Sequence, residues 1–124
     1  MRENRIFAEN VLEFATGGGD ILSFWRVSKD NVLESHDIRI PEIGTSEISI
    51  TSISYCYHGS GKTYLLAGLQ SGEIICVDVK KRKIIDRTKF CTSEILQLRF
   101  SNAKKSFLIS TLRGELFKVN FDDM

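Results

Sequence analysis

The sequence predicts an all-β protein, and three observations lead to that prediction. Single-residue alternation and short apolar runs dominate, and no segment keeps a helical period over three turns. A pattern of an apolar strand, a turn and a second apolar strand occurs three times. Gly72 and Gly114 hold the same place in the second and third copies, which sets a repeat of 42 residues, the difference between those two positions.

The predicted strands follow from β-branched and aromatic runs bounded by turn residues. They cover residues 11–17, 21–28, 32–40, 48–57, 63–69, 73–79, 83–90, 94–101, 106–112 and 114–121. The chain's only proline, Pro41, lies between two units, where it interrupts no central strand. The order predicts three strands, then four, then three.

The first strand of each later unit supports the repeat independently. Ile53 and Tyr55 match Leu98 and Phe100 in register, so alternate positions are apolar, as one buried face requires. The second and third strands of each unit are nearly continuous apolar runs. Such runs predict strands that are covered on both faces, as in a sheet packed between two others.

These units resemble the blades of WD-repeat β-propellers, and the resemblance covers residues 11–121. Trp25-Arg26, Val77-Asp78 and Val119-Asn120 stand where the family's Trp-Asp pair falls. No single repeat has both family residues, and His58 precedes Gly59 instead of following a glycine. The family's hydrogen-bonded histidine–aspartate network is therefore not expected here.

The resemblance implies about three four-stranded antiparallel WD40-type blades in an unclosed, partial β-propeller, since a closed ring needs roughly four to eight blades. The expected domain organisation is a first blade over about 1–47, a middle blade over 48–93 and a last incomplete blade over 94–124. On the family's scheme the chain begins near the second strand of a blade and ends after the third strand of another.

Residues 94–124 are also similar to the terminal blades of cilia- and flagella-associated WD-repeat proteins. This similarity depends on residues 95–98, 107–109 and 117–121. It implies a cytoplasmic protein, at the cilium or axoneme or on the cytoskeleton, with cytoskeletal partners.

The composition is that of an ordinary soluble globular domain. The 124 residues are 42% hydrophobic and 27% charged, with a net charge of +1, which favours neither nucleic acid nor an anionic membrane as a partner. No apolar run approaches the roughly 18–20 residues that span a bilayer, and the N-terminus leads into no signal-peptide core. Three cysteines without a C-x-x-C pair predict structural packing in a reducing compartment.

Two short motifs are better explained as structure than as binding sites. Gly59 to Thr63 resembles the end of a phosphate-binding loop, but Cys56 stands where the pattern needs glycine, and a strand follows instead of a helix. Cys56 and His58 resemble a pair of metal ligands, but His36 is the only other histidine. The sequence therefore predicts no metal and no cofactor.

The sequence predicts no enzyme either. The nucleophile pattern G-x-S-x-G does not occur. Carboxylates recur at turns or strand ends of the repeats, at Asp20, Glu73, Asp78 and Glu115. Repetition at similar places predicts that they satisfy turn groups, whereas a catalytic pair is expected once.

The function predicted from these observations is a non-catalytic protein–protein interaction scaffold, a propeller segment of a larger propeller or complex. Its partners would complete the propeller, or the chain would associate with itself; no small-molecule substrate is predicted. The candidate partner-binding residues are Lys80, Lys81, Arg82, Lys83 and Trp25. For the basic run the competing interpretation is a solvated turn.

Two alternatives remain at this point. The same strands could close into a small self-contained β-barrel or sandwich that binds a ligand, since the length suffices for eight strands. The basic run at residues 80–83 could bind nucleic acid or a filament, which would make binding strongly salt-dependent.

Overall fold

The structure, a computed structural model, describes residues 12–42, 47–57, 61–101 and 105–120. Within these ranges every regular element is a β-strand, and no helix is long and apolar enough to cross a membrane.

The strands form three separate antiparallel sheets. Sheet 1 contains β1 (Leu12–Gly18), β2 (Ile21–Val27) and β3 (Leu33–Arg39). Sheet 2 contains β4 (Ile50–Tyr57), β5 (Thr63–Leu69), β6 (Glu73–Asp78) and β7 (Lys83–Lys89). Sheet 3 contains β8 (Ile95–Ser101), β9 (Ser106–Thr111) and β10 (Leu116–Asn120).

The three-four-three order and the unclosed all-β fold confirm the prediction, and each strand end falls within two residues of its expected place. In every sheet, strands that are consecutive in sequence pair with each other. None of the three sheets of the described chain closes on itself. The structure therefore does not favour the alternative of a self-contained barrel or sandwich. A barrel needs its strands paired in one continuous cylinder and a sandwich needs two facing sheets, whereas here clusters join sheet 1 to sheet 2 and sheet 2 to sheet 3.

The first strands of sheets 2 and 3 share an irregularity that the sequence did not reveal. The pairing of β4 with β5 shifts between Ile50 and Ser52, and that of β8 with β9 shifts between Ile95 and Gln97. These bulges lie 45 positions apart in the chain. Two bulges at matching places mark sheets 2 and 3 as copies of one structural unit.

The middle sheet is packed on both faces. β5 and β6 are largely buried, as the continuous apolar runs predicted. The cluster between sheets 1 and 2 is built around Leu22, Phe24, Ile40, Ile48, Leu65, Ala67, Leu69, Ile75 and Val77. The cluster between sheets 2 and 3 is built around Cys56, Leu66, Ile74, Cys76, Ile95, Leu98, Phe107 and Ile109.

A glycine sets the distance between neighbouring sheets at two matching places. A Cβ on Gly17 of β1 would lie 3.0 Å from Cγ2 of Ile50, and one on Gly68 of β5 would lie 2.5 Å from Cγ2 of Ile95. In each case an isoleucine from the first strand of the next sheet occupies the space that a larger residue would fill. The same close contact therefore joins both pairs of sheets.

The outer sheets each leave one face open, so the prediction of coverage on both faces is wrong for their strands. In sheet 1, Leu12, Phe14 and Leu33 are 49%, 38% and 57% exposed. In sheet 3, Leu108 and Leu116 are 46% and 70% exposed. Within the described chain these faces have no fourth sheet to pack against.

Candidate protein-binding groove

The basic run at residues 80–83 forms the tight connection between β6 and β7. The Lys81 N–H donates to Oδ1 of Asp78 at 3.0 Å, and the Arg82 N–H donates to the Asp78 carbonyl at 2.7 Å. The side chains of Lys80, Lys81 and Lys83 are exposed. The turn geometry agrees with the solvated-turn interpretation, and Asp78 satisfies a turn amide, as its position predicted.

Arg82 differs from its three neighbours because it turns back onto sheet 1. Its backbone is left-handed, with φ of 55°, and its side chain is half-buried. The guanidinium carbon lies 5.5 Å from the ring centroid of Phe24 in β2. A cation over an aromatic face is attracted by about 0.5–2 kcal/mol, depending on how far it is desolvated.

Arg82 and Phe24 belong to a groove between sheets 1 and 2, called here the Arg82 groove. It encloses about 250 Å³. Its lining is mostly aromatic and consists of Glu13, Phe14, Phe24, Trp25, Tyr55, Tyr57, Thr63, Val79 and Arg82. Four of these residues come from β2 and β4, namely Phe24, Trp25, Tyr55 and Tyr57.

Trp25 is held in a fixed orientation by β1. Its indole Nε1–H donates to Oγ1 of Thr16 at 2.9 Å, and its ring stacks on Phe14 with centroids 6.3 Å apart and planes 14° apart. A tryptophan whose polar atom is satisfied and whose face is packed keeps little rotamer freedom to lose on binding. Because neighbouring residues of a strand point to opposite faces and Phe24 packs toward sheet 2, the Trp25 ring lies on the open face of sheet 1, where it is a preorganised contact.

The electrostatics of the groove keep Tyr55 neutral. Burial raises its pKa to about 12, the charges of Tyr57 and Glu13 act in the same direction, and Arg82 opposes them. The phenol is therefore protonated at neutral pH and is available as a hydrogen-bond donor.

A wider depression of about 1010 Å³ continues from the groove and is called here the basic extension. It is lined by Glu13, Gly61, Lys62, Thr63, Asp78, Val79, Lys80, Lys81 and Arg82. Its four basic side chains outnumber its two acidic ones. The surface thus joins an aromatic part to a part of net positive charge.

The five candidate residues from the sequence are only partly brought together. Trp25 and Arg82 both line the Arg82 groove, and Lys80 and Lys81 line the basic extension. Lys83 is the first residue of β7 and lines neither. The binding role of these five residues stays a prediction.

Cys56 and Cys76 are buried as packing residues, and Cys91 is half-buried. Burial raises the pKa of the Cys56 thiol to about 12 and that of the Cys76 thiol to about 11. Both thiols stay protonated at neutral pH, which makes them poor nucleophiles and metal ligands. Within the described ranges no cluster of three His, Cys, Asp or Glu side chains could hold a metal, and His58 lies outside those ranges.

Comparisons with known proteins identify the fold. No family model and no curated protein matches the sequence. Among solved structures, the Swd1 β-propeller domain of Myceliophteria thermophila matches 81% of this chain with a TM-score of 0.63 and 23% identity. The C-terminal WD40 domain of Sif2 matches 94% of this chain with a TM-score of 0.65 and 12% identity.

A third structure, BBS1N in complex with ARL6DN, matches 88% of this chain with a TM-score of 0.67 and 11% identity. The chain spans about a third of these propellers: 32% of Swd1, 32% of the Sif2 domain and 35% of BBS1N. At these identities the likeness concerns the fold alone. The chain has the fold of three consecutive blades of a WD40 β-propeller.

Proposed function

We propose that this chain is a non-catalytic protein-interaction scaffold and that its Arg82 groove docks a peptide segment of a partner protein. The observation that carries the proposal is the groove itself, in which Phe24, Tyr55 and Tyr57 line the same space as the half-buried Arg82, next to a basic rim. Tryptophan, tyrosine and arginine are the residues most enriched among those that dominate binding energy at protein interfaces.

The size of the groove favours a side chain over a small-molecule ligand. Its volume of about 250 Å³ lies below the roughly 300–1,000 Å³ typical of small-molecule pockets. That volume accommodates one large apolar or aromatic side chain. The basic extension is wide and open, and it can receive the carboxylates on either side of that side chain.

The proposed partner segment is therefore extended, with one aromatic or large apolar residue next to aspartate or glutamate. The apolar residue would contact Tyr55 and Tyr57, and the carboxylates would pair with Arg82, Lys80 and Lys81. Glu13 and Asp78 lie in the same surface and would repel carboxylates that are placed beside them. This arrangement would select the position of the acidic residues as well as their number.

The open faces of sheets 1 and 3 favour a role within a larger propeller or complex. Large exposed apolar side chains on a sheet face are typical of surfaces that contact another protein.

A cytoplasmic location at the cilium or cytoskeleton is part of the proposal, and it is supported by the similarity over residues 94–124. Microscopy of the tagged full chain in ciliated cells tests this part, and a diffuse nuclear or secreted signal would contradict it.

The groove is tested by selecting peptides from a random phage-displayed library on the purified full chain. Enriched peptides should carry an acidic residue beside an aromatic one. Arg82→Gln and Tyr57→Ser should each weaken a selected peptide by about 5–30-fold, the range expected for interface residues that contribute 1–2 kcal/mol. Lys83→Gln removes a charge from the same turn outside the groove and should change affinity less than about twofold.

Equal affinity for the wild type and both groove variants would refute the groove as the binding site. A single-stranded oligonucleotide that bound with affinity falling steeply with salt would instead favour recognition of nucleic acid through the basic run.

A further inference from the structure

The outer edge of β10 is open in the described part of the chain. In sheets 1 and 2 the corresponding third strand of the unit, β2 or β6, is covered by a further strand, β3 or β7. Ile75 and Val77 of β6 are fully buried, whereas the matching Phe117 and Val119 of β10 are only half-buried. Among the described residues, sheet 3 therefore has no strand at the place that β3 takes in sheet 1 and β7 takes in sheet 2.

The backbone of β10 presents unpaired groups to that edge. The carbonyl of Glu115 accepts the N–H of Thr111, so Glu115 faces β9. Peptide groups alternate in direction along an antiparallel strand, so those of Leu116, Lys118 and Asn120 face the open side. An edge of this kind is a template for a further strand.

Both sheets that have the outer strand carry an acidic residue bound by an arginine, either just before β2 or as the first residue of β6. Asp20 binds Arg39 of β3 at 2.6 Å. Glu73 binds Arg87 of β7 at 2.9 Å through Oε2, and both side chains are more than four-fifths buried, at 17% and 16% exposure. The outer strand in each case is held by one ion pair in addition to its backbone hydrogen bonds.

Glu115 accepts a hydroxyl hydrogen bond as Glu73 does, from a residue four positions earlier instead of two, but it has no arginine partner in the described part of the chain. The hydroxyl of Thr111 donates to Oε1 of Glu115 at 3.0 Å, as the hydroxyl of Ser71 donates to Oε1 of Glu73 at 2.9 Å. No basic side chain of the described residues pairs with Glu115. Oε2 of Glu115 corresponds to the oxygen of Glu73 that accepts the Nε–H of Arg87 in sheet 2.

The charges along β10 indicate what an added strand should carry. In sheet 2, Asp86 lies opposite Cys76 and Lys89 lies opposite Glu73. The 42-residue repeat places Lys118 and Glu115 at those two positions of β10. A strand with the pattern of β7 would therefore set its aspartate against Lys118 and its lysine against Glu115, and both pairs are attractive.

We propose that the β10 edge docks an extended segment of a partner protein, which joins sheet 3 as an antiparallel fourth strand, binds Glu115 through an arginine and places an acidic residue opposite Lys118. This inference shares the interaction function proposed above but uses a different surface and a different segment. Affinity comes from the backbone hydrogen bonds, and the charges of Glu115 and Lys118 select the sequence.

The test uses the full chain and a synthetic peptide that copies residues 83–90, Lys-Ile-Ile-Asp-Arg-Thr-Lys-Phe. Binding is measured by fluorescence anisotropy, and the site is located by hydrogen exchange. The peptide should protect the amides of Leu116, Lys118 and Asn120. A peptide carrying Arg87→Gln, and separately a chain carrying Glu115→Gln, should each weaken binding by about 3–10-fold, and the two changes together should cost no more than either alone.

Two controls separate this site from the groove. Glu42→Gln removes an exposed carboxylate elsewhere and should leave the affinity unchanged, as should Arg82→Gln. Circular dichroism checks that the Glu115→Gln chain keeps its fold. If the library yields no peptide that binds the groove but the peptide of residues 83–90 still binds, only the groove proposal is refuted. If library peptides bind the groove but the peptide of residues 83–90 does not bind, only the edge proposal is refuted.

Three outcomes would overturn the inference. They are the absence of binding, protection that falls outside β10, and equal affinity for the two peptides. Sedimentation of the chain without peptide tests whether a second copy of the chain occupies the edge. A dimer that dissociates when Glu115 is changed to glutamine would assign the edge to self-association instead.

Discussion

The ion pair between Glu73 and Arg87 is the most enclosed charged contact described. Arg87 donates through Nε to Oε2 of Glu73 at 2.9 Å and through Nη2 to Oε1 at 3.2 Å. A third donor, Nη1, reaches the carbonyl of Pro41 in the connection from sheet 1. One side chain therefore fixes β7 to β6 and also holds the segment that leads into sheet 2. Bidentate pairs of this kind are stronger than exposed single contacts.

The pH dependence of this pair is predictable in sign. The hydrogen bond from Arg87 lowers the pKa of Glu73 below 4.5, burial opposes this effect, and Ser71 adds to it. A lowered folded-state pKa contributes stability that is present above the unfolded pKa and is lost as pH falls through the folded pKa. We expect a double-mutant cycle of Arg87→Met and Glu73→Gln to give a coupling of about 1–2 kcal/mol at pH 7.

Urea unfolding measures the coupling from pH 7 downward. It should persist at pH 4.5, where an unperturbed glutamate is half protonated, and should vanish in stronger acid. A coupling that did not change with pH would contradict the ionic origin of the contact.

Gly68 gives a prediction about packing between sheets 2 and 3. An added Cβ would lie 2.5 Å from Cγ2 and 2.8 Å from Cβ of Ile95, and neither atom is the far end of a flexible side chain. Gly68→Ala should therefore destabilise the chain by about 1–3 kcal/mol through overpacking. Gly18→Ala is the matched control, since a Cβ there meets nothing within 4 Å. Equal unfolding midpoints for the two variants would show that the sheets are not in this contact.

The turns before β6 and β10 have the same backbone conformation but different surroundings. Gly72 and Gly114 have φ of 89° and 81°, a region that disfavours residues with a Cβ. The N–H of Gly72 donates to the Leu69 carbonyl and that of Gly114 to the Thr111 carbonyl, both at 3.0 Å. Only Gly72 is enclosed, because its own carbonyl accepts the N–H groups of Phe90 and Cys91.

Alanine at these two glycines should separate backbone strain from steric conflict. Gly114→Ala meets nothing within 4 Å and should cost about 1–2 kcal/mol from the left-handed backbone alone. Gly72→Ala would place a Cβ 2.1 Å from the Cys91 carbonyl oxygen, so it should cost at least about 2 kcal/mol more. Chemical denaturation of both variants gives the difference. If the two variants lost similar amounts of unfolding free energy, the segment at Cys91 would have to move away from the added Cβ at little cost.

The strands were predictable because their signal is local, whereas the groove was not. Alternation and turn glycines depend on neighbours in sequence, and they place β5, for instance, at its observed bounds of residues 63–69. Phe24 and Tyr57 lie more than 30 positions apart in the sequence, and they line one groove only because sheet 1 packs on sheet 2. Arg82 was singled out for its charge alone, and its contact with Phe24 also depends on that packing.

At the scale of the whole molecule, the two outer sheets are asymmetric in their open faces. The open face of sheet 1 carries the stacked Phe14 and Trp25 with Leu12 and Leu33 beside them. In sheet 3, Lys118 stands at the position that Cys76 fills in the buried face of sheet 2. Sheet 1 thus has the more apolar of the two open faces, and sheet 3 has the more charged one.

This asymmetry predicts which face drives association of the isolated chain. Changing Leu12 and Leu33 together to threonine should lower concentration-dependent association in sedimentation velocity and leave the unfolding midpoint unchanged. The reason is that both side chains are about half exposed and contribute little to the core, but together they form an apolar row across sheet 1.

Ile85→Thr is the matched control, because Ile85 is 52% exposed but belongs to β7 of the sheet that is covered on both faces. If the control reduced association as much as the double variant, general surface hydrophobicity would explain the effect. If the wild-type chain stayed a soluble monomer at all concentrations, the open face of sheet 1 would not be an interaction surface.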